Sequence, residues 1–281
     1  MPPPSRPLPR RSPAAGPADR GAPDVIRSAA NPRLRWVRQL LADRQARQKA
    51  GVFVLEGSRL AEEALAAGLT TRLVLRTPEL DRRSLSLVEA FARTGCEILT
   101  ITPRLLATSS EIETAPGLLV VADRPDLRPP SPLRLAVVAD GLADPGNLGS
   151  LIRTSAAAGV EALFLTPGTV DPYNPKVVRG AMGAHFHLPL ATLDDLPDPP
   201  ALSGLDLWLA EPGAGVPYYQ VDWGRPLALI LGNEARGVNP AWRSRAAGSV
   251  HVPMRQVAES LNAAVAAAVI LFEIARQRGS P

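Results

Sequence analysis

The stretch Asp144-Pro-Gly-Asn-Leu-Gly-Ser-Leu-Ile-Arg153 follows an apolar run, and together they predict a strand that turns into a helix. Two later segments, Leu231-Gly-Asn-Glu-Ala-Arg-Gly237 and Val252-Pro-Met-Arg-Gln-Val-Ala-Glu-Ser-Leu-Asn262, also stand where a predicted strand gives way to a loop or helix. In an open α/β sheet such points converge at the carboxyl ends of the strands, where ligands bind. The sequence therefore predicts one ligand-binding crevice that all three segments line.

Small residues surround the single arginine of the first segment. Gly149 and Ser150 precede Arg153 by four and three residues, so they share its helix face and leave room for a ligand beside the guanidinium. Taken alone, Arg153 is equally well a solvated helix residue. The glycines of the second segment let backbone approach a ligand, although an ordinary turn would use them too. Ser260 stands at a helix start, as a simple N-cap, beside a bound anion, or both.

Composition bounds the class of protein. The chain has 281 residues, 46% of them hydrophobic, which is enough for two modest domains with real cores. Its net charge is +4, yet residues 1–50 hold ten Arg and one Lys against three Asp, or +8, so the remainder carries −4. The basic end is therefore a candidate nucleic-acid contact. Cys96 is the only cysteine, which excludes a disulfide framework or a thiolate metal site within one chain.

Membrane and metal partners are not expected. No apolar run reaches the roughly 20 residues that span a bilayer, and the N-terminus lacks the apolar core of a secretory signal. A cytoplasmic protein is therefore predicted. His185 and His187 would share a face if their segment is a strand, but two histidines without a nearby carboxylate or cysteine are more often structural, so we predict no metal site.

Changes of composition divide the chain into four parts. Residues 1–23 are rich in Pro, Arg, Ala and Gly and are expected to be disordered. Predicted strands and helices alternate over 24–123, which indicates a small α/β domain. Residues 124–132 form a linker by composition. A second α/β domain is predicted over 133–281.

In order and spacing, the three segments resemble motifs 1, 2 and 3 of the SpoU (TrmH-like) family of RNA methyltransferases, a branch of the SPOUT superfamily. The resemblance covers about residues 133–277, and residues 31–122 are similar to the L30e-like substrate-binding domain of longer members. It implies an α/β fold with a deep trefoil knot in the C-terminal domain, and a homodimer. It also implies methyl transfer from S-adenosylmethionine to a ribose 2′-hydroxyl in RNA.

The resemblance assigns roles to individual residues. Asn147 and Arg153 match the motif-1 asparagine and catalytic arginine, and Glu234 matches the motif-2 glutamate. Ser260 and Asn262 match the serine and asparagine of motif 3. Strand-end and loop residues are then expected to contact the cofactor, namely Leu209, Ala210, Glu211, Leu231, Gly232, Val252, Met254 and Leu261.

Arginine is a poor general base, because its pKa lies above about 12. We therefore hypothesise that Arg153 orients the RNA and stabilises the alkoxide that develops as the ribose oxygen attacks. The hydroxyl proton then leaves through RNA phosphate, water or an unusually perturbed Arg153. RNA phosphates are expected to contact a basic helix near residues 33–49 and the catalytic entrance, where a solvated helix face is the alternative interpretation. The residues concerned are Arg33, Arg35, Arg38, Arg44, Arg47, Lys49, Lys176 and Arg179.

The target follows only from the architecture. A separate RNA-binding domain is more typical of enzymes that act on ribosomal RNA, so 23S ribosomal RNA is the predicted substrate, by analogy of fold. A transfer-RNA 2′-O-methyltransferase is the first alternative. A noncatalytic RNA-binding or ribosome-assembly protein is the second, and retention of all five motif residues argues against it.

Overall fold

Strands and helices alternate along the whole described chain, which confirms the predicted α/β class. The structure, a computed structural model, describes residues 25–108, 117–194, 196–255 and 260–279. The tail predicted over residues 1–23 lies outside these ranges. Two separate β-sheets result, one of five strands and one of seven.

The five-stranded sheet is mixed. Its elements in chain order are β1 Val25–Ile26, α1 Pro32–Ala42, α2 Arg44–Ala50, β2 Val52–Glu56, α3 Ser58–Ala66, β3 Thr71–Arg76, α4 Arg82–Arg93, β4 Glu97–Ile101, α5 Pro103–Ala107 and β5 Leu118–Asp123. The strand order is β1-β4-β3-β5-β2. β1, β4 and β3 are parallel, while β5 runs antiparallel to both β3 and β2.

The predicted basic helix near residues 33–49 is in fact two helices. Asp43 has an extended backbone that ends α1, and its side chain caps α2 by accepting the Gln45 N–H at 2.8 Å. Asn31 caps α1 in the same way, accepting the Arg33 N–H at 2.9 Å. An aspartate that offers its oxygen to the next backbone competes with helix continuation, which explains the break.

The seven-stranded sheet is parallel throughout. Its elements in chain order are β6 Leu135–Asp140, α6 Pro145–Ala157, β7 Ala162–Leu165, α7 Pro175–Ala181, β8 Leu190–Thr192, β9 Asp206–Ala210, β10 Val216–Pro217, β11 Leu227–Gly232, β12 Ala246–His251 and α8 Ala263–Gln277. The strand order is β10-β12-β9-β11-β6-β7-β8. Every residue of β6 is buried, as expected for a strand covered on both faces.

Helices cover one face of this sheet and irregular segments cover the other. Ile152 of α6, Val177 of α7 and Ile270 of α8 pack in one core cluster with strand residues. On the opposite face, Leu202 and Trp242 fill a second cluster. The sheet is therefore a middle layer whose carboxyl edge stays open for loops.

Two glycines bring α6 and α7 into direct backbone contact. A Cβ on Gly149 would lie 2.8 Å from the Val177 carbonyl oxygen and 3.0 Å from the Gly180 Cα. Any larger residue at Gly149 would push the helices apart, because backbone atoms cannot yield as a flexible side chain does. This crossing fixes the position of α6, which carries both residues of the first motif.

The two sheets pack against each other through segments of the second one. Val178 and Phe186 lie in the same core cluster as Phe53 and Val74 of the first sheet. The segment that holds Phe186 is a short 3-10 helix, Ala184–Phe186, so the strand that would put His185 and His187 on one face does not form.

Backbone conformation explains that difference. Met182 and Gly183 have φ angles of 50° and 89°, which turn the chain out of an extended path. His185 is consequently buried, and its Nε2 donates to the Pro172 carbonyl oxygen at 2.7 Å.

Candidate functional site

A cavity of about 570 Å³ lies at the carboxyl ends of β9, β11, β12 and the start of α8. All three sequence segments line it, so the structure brings together the stretches that the sequence placed around one crevice. The predicted residues that line it are Asn147, Ala210, Glu211, Leu231, Gly232, Glu234, Val252, Met254, Ser260, Leu261 and Asn262. Leu209 does not line it, because its side chain is buried in the core of the sheet.

Several lining residues were not singled out from the sequence. They are Pro212, Asn233, Gly237, Val250, His251, Ala263, Ala266 and Ile270. Most adjoin a motif residue in the chain, so the signal that could have found them is adjacency to the ends of β9, β11 and β12. Ala266 and Ile270 instead follow from helical periodicity, since they lie on one face of α8 with Asn262.

Side chains from the three motifs form one hydrogen-bonded chain. Asn147 Nδ2 donates to Glu234 Oε1 at 2.8 Å, and Asn262 Nδ2 donates to Asn147 Oδ1 at 2.6 Å. Glu234 also accepts the backbone N–H groups of Ala143 and Asp144, both at 3.2 Å. These bonds tie the loop after β11 to the start of α6 and to the start of α8.

The Glu234 carboxylate is held in its charged form. Partial burial raises its pKa, but hydrogen bonds from Asn147 and from backbone N–H groups outweigh burial and leave the pKa below its ordinary value. A carboxylate whose oxygens are taken up by three donors is poorly placed to remove a proton from substrate. The geometry indicates that Glu234 positions its neighbours.

The second motif keeps its shape through backbone contacts. A Cβ on Gly232 would lie 2.2 Å from both the Gly237 carbonyl carbon and the Val238 nitrogen, so only glycine fits there. Asn233 and Gly237 close the turn with two backbone hydrogen bonds of 3.0 and 2.8 Å. Asn233 Nδ2 donates to the Gly141 carbonyl oxygen at 2.7 Å, which anchors the turn to β6. Exposed backbone at the end of β11 therefore faces the cavity.

Asn262, not Ser260, is the N-cap of α8. Its Oδ1 accepts the N–H groups of Ala264 at 3.0 Å and Val265 at 3.3 Å. Ser260 lies outside the helix, exposed, and lines the cavity. The N-cap interpretation of Ser260 is therefore wrong, and Ser260 is a residue of the cavity wall instead. Residues 256–259 of the third segment lie outside the described residues.

Arg153 lies on the same helix as Asn147 but apart from the cavity lining. It is exposed, and its guanidinium makes no hydrogen bond or ion pair with any residue that the structure describes. An exposed, unengaged guanidinium on the first motif is available to a ligand larger than the cavity itself.

Glu211 fixes the edge of the cavity at the end of β9. Its Oε1 accepts from Arg243 Nη2 at 2.6 Å, and its Oε2 accepts from Ser249 Oγ at 2.8 Å. Only 12% of the Glu211 side chain is exposed, against 59% for Arg243. Hydrogen bonds from Arg243 and from Ser249 of β12 therefore fix the orientation of the Glu211 carboxylate without a ligand.

The predicted RNA-contacting residues differ in their surroundings. Arg35, Arg44, Lys49 and Lys176 are exposed. Arg33 pairs with Glu97 at 2.8 Å.

Two further arginines of this set bond within the protein. Arg38 Nη2 donates to Thr108 Oγ1 at 2.8 Å. Arg179 Nη1 pairs with Glu56 Oε2 at 2.5 Å, and this contact joins α7 to β2.

The assignment of Arg47 to RNA binding is wrong. Its side chain is buried, with Nε and Nη2 donating to Asp171 Oδ2 at 2.8 and 2.6 Å. Its Nη1 donates to the carbonyl oxygens of Leu40 at 2.6 Å and Leu41 at 3.1 Å. All of its donors that matter for phosphate contact are used inside the protein, so Arg47 holds the two sheets together instead.

Within the described ranges, no three His, Cys, Asp or Glu side chains cluster to hold a metal ion. In the same ranges no helix is long and apolar enough to cross a membrane.

Comparison with known proteins agrees with this geometry. The model of the SpoU rRNA Methylase family matches residues 134–272, and that of the MRM3-like substrate binding domain matches residues 31–120. The 23S rRNA (guanosine(2553)-2′-O)-methyltransferase RlmP of Bacillus subtilis is 31% identical over 252 residues, which cover 89% of this chain and 98% of that protein. The 23S rRNA (uridine(2479)-2′-O)-methyltransferase of Streptomyces viridochromogenes is 33% identical over 268 residues, covering 88% and 91%.

Solved structures agree as well. The SpoU methyltransferase AviRb of Streptomyces viridochromogenes, in complex with AdoMet, superimposes with a TM-score of 0.77 at 31% identity, covering 89% of this chain and all of that one. An RNA 2′-O ribose methyltransferase superimposes with a TM-score of 0.76 at 33% identity, covering 90% and 98%. The chain belongs to the SpoU rRNA methylase family.

Proposed function

We propose that this protein transfers a methyl group from S-adenosylmethionine to a ribose 2′-hydroxyl of 23S ribosomal RNA. The observation that carries the proposal is the hydrogen-bonded chain of Glu234, Asn147 and Asn262 beside a cavity of about 570 Å³. The two ribosomal RNA methyltransferases reported above share about a third of their residues with it over nearly their whole length.

S-adenosylmethionine suits the cavity in size and in chemistry. Small-molecule sites usually measure about 300–1,000 Å³ and combine apolar walls with a few fixed polar groups. The apolar part of the wall comes from Leu231, Val252 and Ile270. Gly232 has no side chain to cover its backbone, and no larger residue fits at this position. When bound, the cofactor supplies a methyl group activated by a cationic sulfonium. Its holders would be Ala210, Glu211, Leu231, Gly232, Val252, Met254 and Leu261.

The protein's own residues then position the ribose and stabilise developing charge. Arg153 is exposed and unengaged in the described structure, so its guanidinium can bond RNA beside the cavity. As the 2′-oxygen attacks, a fixed cation stabilises the oxyanion, and holding both reactants together removes much of the entropic barrier. The hydroxyl proton leaves to water or an RNA phosphate, because a charged guanidinium does not accept it. Asn147, Glu234 and Asn262 act by positioning, and Ser260 contributes its hydroxyl to the cavity.

Ribosomal RNA is favoured over the alternatives by its relatives and by its architecture. The two relatives reported above methylate a guanosine and a uridine of 23S rRNA, so family membership alone leaves the nucleotide open. A transfer-RNA target remains the alternative substrate. A noncatalytic RNA-binding protein would not need an intact cavity with an unengaged arginine beside it. Action on bacterial ribosomal RNA supports a cytoplasmic location.

We assign the first sheet, within residues 24–123, to RNA substrate binding, and residues 133–281 to methyl transfer, joined by the linker 124–132. The match of the first part to a substrate-binding domain model supports this division, and an L30e-like fold is the form we propose for it. Cations on α1, α2 and α7, most of them exposed, supply RNA phosphate contacts, which make binding salt-sensitive. They are Arg33, Arg35, Arg38, Arg44, Lys49, Lys176 and Arg179.

A trefoil knot in the second domain is also proposed. In the sheet, β9 separates β12 from β11, and β6 lies on the other side of β11. The helix α8 follows β12 in the chain, yet it packs against α6, which follows β6. The chain therefore returns across the carboxyl edge, where the turn of Gly232–Gly237 and the third motif line one cavity. Passage of α8 through that loop is the arrangement that we infer.

A homodimer is the proposed assembly. Leu261, Val265 and Phe272 of the α8 region are 37%, 49% and 51% exposed, and Tyr219 is 54% exposed. Large apolar side chains left in water on a helix beside an active site commonly mark an interface. Sedimentation of the purified protein is expected to give twice the chain mass.

The test of the proposed activity uses S-adenosylmethionine with a trideuterated methyl group. Purified protein is incubated with a 23S rRNA transcript and, separately, with transfer RNA, and nucleosides are analysed by mass spectrometry. Label is expected on the ribose of one nucleotide of 23S rRNA. Label on a base, only on transfer RNA, or nowhere would contradict the proposal.

The role of Arg153 is tested in the same assay. Arg153→Ala is expected to lose transfer while calorimetry gives an unchanged affinity for S-adenosylmethionine, because Arg153 does not line the cavity. Arg82→Ala, at an exposed arginine of α4, is the matched control and should retain activity. Near-normal turnover by Arg153→Ala would remove the assignment.

A further inference from the structure

Arg124 links the two domains in an unusual way. It is the first residue after β5, and its backbone N–H donates to the Gly51 carbonyl oxygen at 2.9 Å. Its guanidinium lies over the ring of Tyr173, with 4.3 Å between the guanidinium carbon and the ring centroid. Tyr173 belongs to the other domain, just before α7, and its ring packs edge-on against Phe53 at 5.2 Å. The charge of Arg124 thus sits at the seam between the sheets.

The Arg124 guanidinium has no carboxylate bonded to it. Its Nε and Nη2 are buried and have no hydrogen-bond partner among the described residues. The nearby carboxylate, Asp171, is engaged elsewhere, since Arg47 takes Oδ2 through two bonds of 2.8 and 2.6 Å. Asp171 Oδ1 accepts the Tyr173 N–H at 3.1 Å. Buried charges in proteins are usually paired, so this one is an exception that needs an explanation.

Like charges surround Arg124. Burial lowers its pKa, Asp171 and Tyr173 raise it by less, and the positive charges of Arg47 and Arg44 lower it slightly further, so the pKa stays below its ordinary value. Arg124 and Arg47 therefore both lie near Asp171, whose hydrogen bonds go to Arg47 and to the Tyr173 N–H and not to Arg124. A partly buried cation with like-charged neighbours costs the free protein stability, and an anion bound beside it would offset that cost.

One nitrogen of Arg124 remains within reach of a ligand. Nη1, unlike Nε and Nη2, is not among the buried atoms without a partner, and none of its hydrogen bonds goes to a residue that the structure describes. Arg44, the first residue of α2, is exposed and lines a cavity of about 300 Å³ together with residues 166–170 of the second domain. Asp194, also exposed, lines the same cavity. The two unengaged arginines thus flank the seam from the first domain and from the linker.

We propose that Arg124 and Arg44 form a phosphate-binding site for the RNA backbone at the seam between the domains. A guanidinium stacked on an aromatic ring and free at one edge matches phosphate geometry better than a flexible ammonium does. The seam adjoins the basic helices α1 and α2, so one RNA strand can contact both. The inference rests on the proposed RNA substrate, and it assigns to Arg124 a contact that couples substrate binding to the fixed domain arrangement.

The experiment measures binding of a 23S rRNA transcript between 50 and 200 mM salt. Loss of one phosphate contact lowers the slope of log affinity against log salt by about 0.7–0.9. Arg124→Gln and Arg44→Gln are each expected to show that loss, which means that their deficit against wild type shrinks about threefold across this salt range. Arg124→Lys keeps the charge and should keep most of the slope. Calorimetry with S-adenosylmethionine should give the wild-type affinity for all three variants.

Arg128→Gln removes an exposed arginine of the linker four residues away and serves as the matched control. Its slope should equal that of wild type, and a loss as large as that of Arg124→Gln would attribute the effect to net charge and overturn the proposal. A lower melting temperature of Arg124→Gln with an unchanged salt slope would overturn it too, because Arg124 would then only join the domains. If Arg124→Gln fails to fold, the salt slope of Arg44→Gln alone tests the proposal: a reduced slope supports it and a wild-type slope overturns it.

The two proposals fail differently. Wild-type protein that binds no 23S rRNA would refute the proposed function itself. Wild-type protein that binds and methylates this RNA, while Arg124→Gln and Arg44→Gln keep the wild-type slope, would refute only the phosphate site.

Discussion

Replacement of Asn147 by alanine tests whether the hydrogen-bonded chain organises the site. The substitution removes the 2.8 Å bond to Glu234 and the 2.6 Å bond from Asn262. It leaves Glu234 with only the backbone donors of Ala143 and Asp144, and it leaves Asn262 Nδ2 without its partner. A bond to a charged group contributes about 1.5–3 kcal/mol and a neutral one about 0.5–1.5 kcal/mol.

The site is open to water on one side, so the lower part of that range applies. Asn147→Ala is therefore expected to lower the free energy of unfolding by about 2–3 kcal/mol. For a protein of this size that is a fall of about 3–6 °C in melting temperature. Affinity for S-adenosylmethionine should fall as well, because the second and third motifs lose the residue that joins them.

A second substitution at the same position sharpens the reasoning. Asn147→Asp keeps the shape but turns the donor that faces Glu234 into a second carboxylate. Two carboxylates at hydrogen-bond distance cannot both stay ionised at little cost, so one pKa rises. Cofactor affinity of this variant is expected to be worst near neutral pH and to improve as the pH falls and the pair takes up a proton.

Asn174→Ala is the control, because Asn174 caps α7 through a single bond to the Lys176 N–H at 2.9 Å. It should lose about 1 kcal/mol of stability as other N-caps do, with unchanged cofactor affinity. Wild-type stability and wild-type cofactor affinity in Asn147→Ala, measured by chemical denaturation and calorimetry, would refute the reasoning.

Three further outcomes are expected. Asp171→Asn leaves the buried Arg47 charge unpaired and should cost about 3–5 kcal/mol of unfolding free energy in chemical denaturation; a loss below 1 kcal/mol would show the pair to be dispensable. Burial lowers the pKa of His185 to about 4 from 6.5, so the unfolded chain takes up a proton first as pH falls. Stability linked to this residue is thus complete above pH 6.5 and falls towards pH 4 by about 3 kcal/mol, and His185→Phe should flatten that part of the profile relative to wild type. Gly232→Ala would place a Cβ 2.2 Å from the Gly237 carbonyl carbon, so calorimetry should show at least about a tenfold loss of cofactor affinity, whereas equal affinity would mean that the turn adapts freely.

The strands and the crevice of the second domain could be predicted from the sequence, because each strand is marked by residues that are neighbours in the chain. The run of residues 135–139 is continuously apolar, which is typical of a strand buried on both faces, and Gly141 follows shortly after it. Parallel strands then bring their carboxyl ends to one edge whatever the details of their order. That geometric rule predicted that three segments separated along the chain meet in one crevice, and the structure brings them together there.

Contacts between residues far apart in the chain could not be predicted from the sequence. Arg47 looked like any solvated arginine on a basic helix, because its partner Asp171 lies 124 residues away in another domain. The sequence left open whether the segment with His185 is a strand, and only the left-handed backbone at Met182 and Gly183 reveals the turn. The short strands β1, β8 and β10 have two or three residues each, too few to carry a periodic signal.

The sequence also could not predict which motif residues bond to one another and which remain available to substrate. The resemblance named Asn147, Glu234 and Asn262 together with Arg153, yet the first three bond to one another while Arg153 bonds to none of the described residues. Which motif residues organise the site and which reach substrate depends on distances of a few ångströms, and no spacing along the chain encodes those distances.

A crystal structure of the protein with S-adenosylmethionine tests the central claim most directly. The claim predicts the adenosyl group against Gly232, Val252 and Leu261, with the methyl group directed to the open side where Arg153 can meet a ribose. A cofactor bound anywhere else on the protein, or a cavity that stays empty at saturating S-adenosylmethionine, would contradict it.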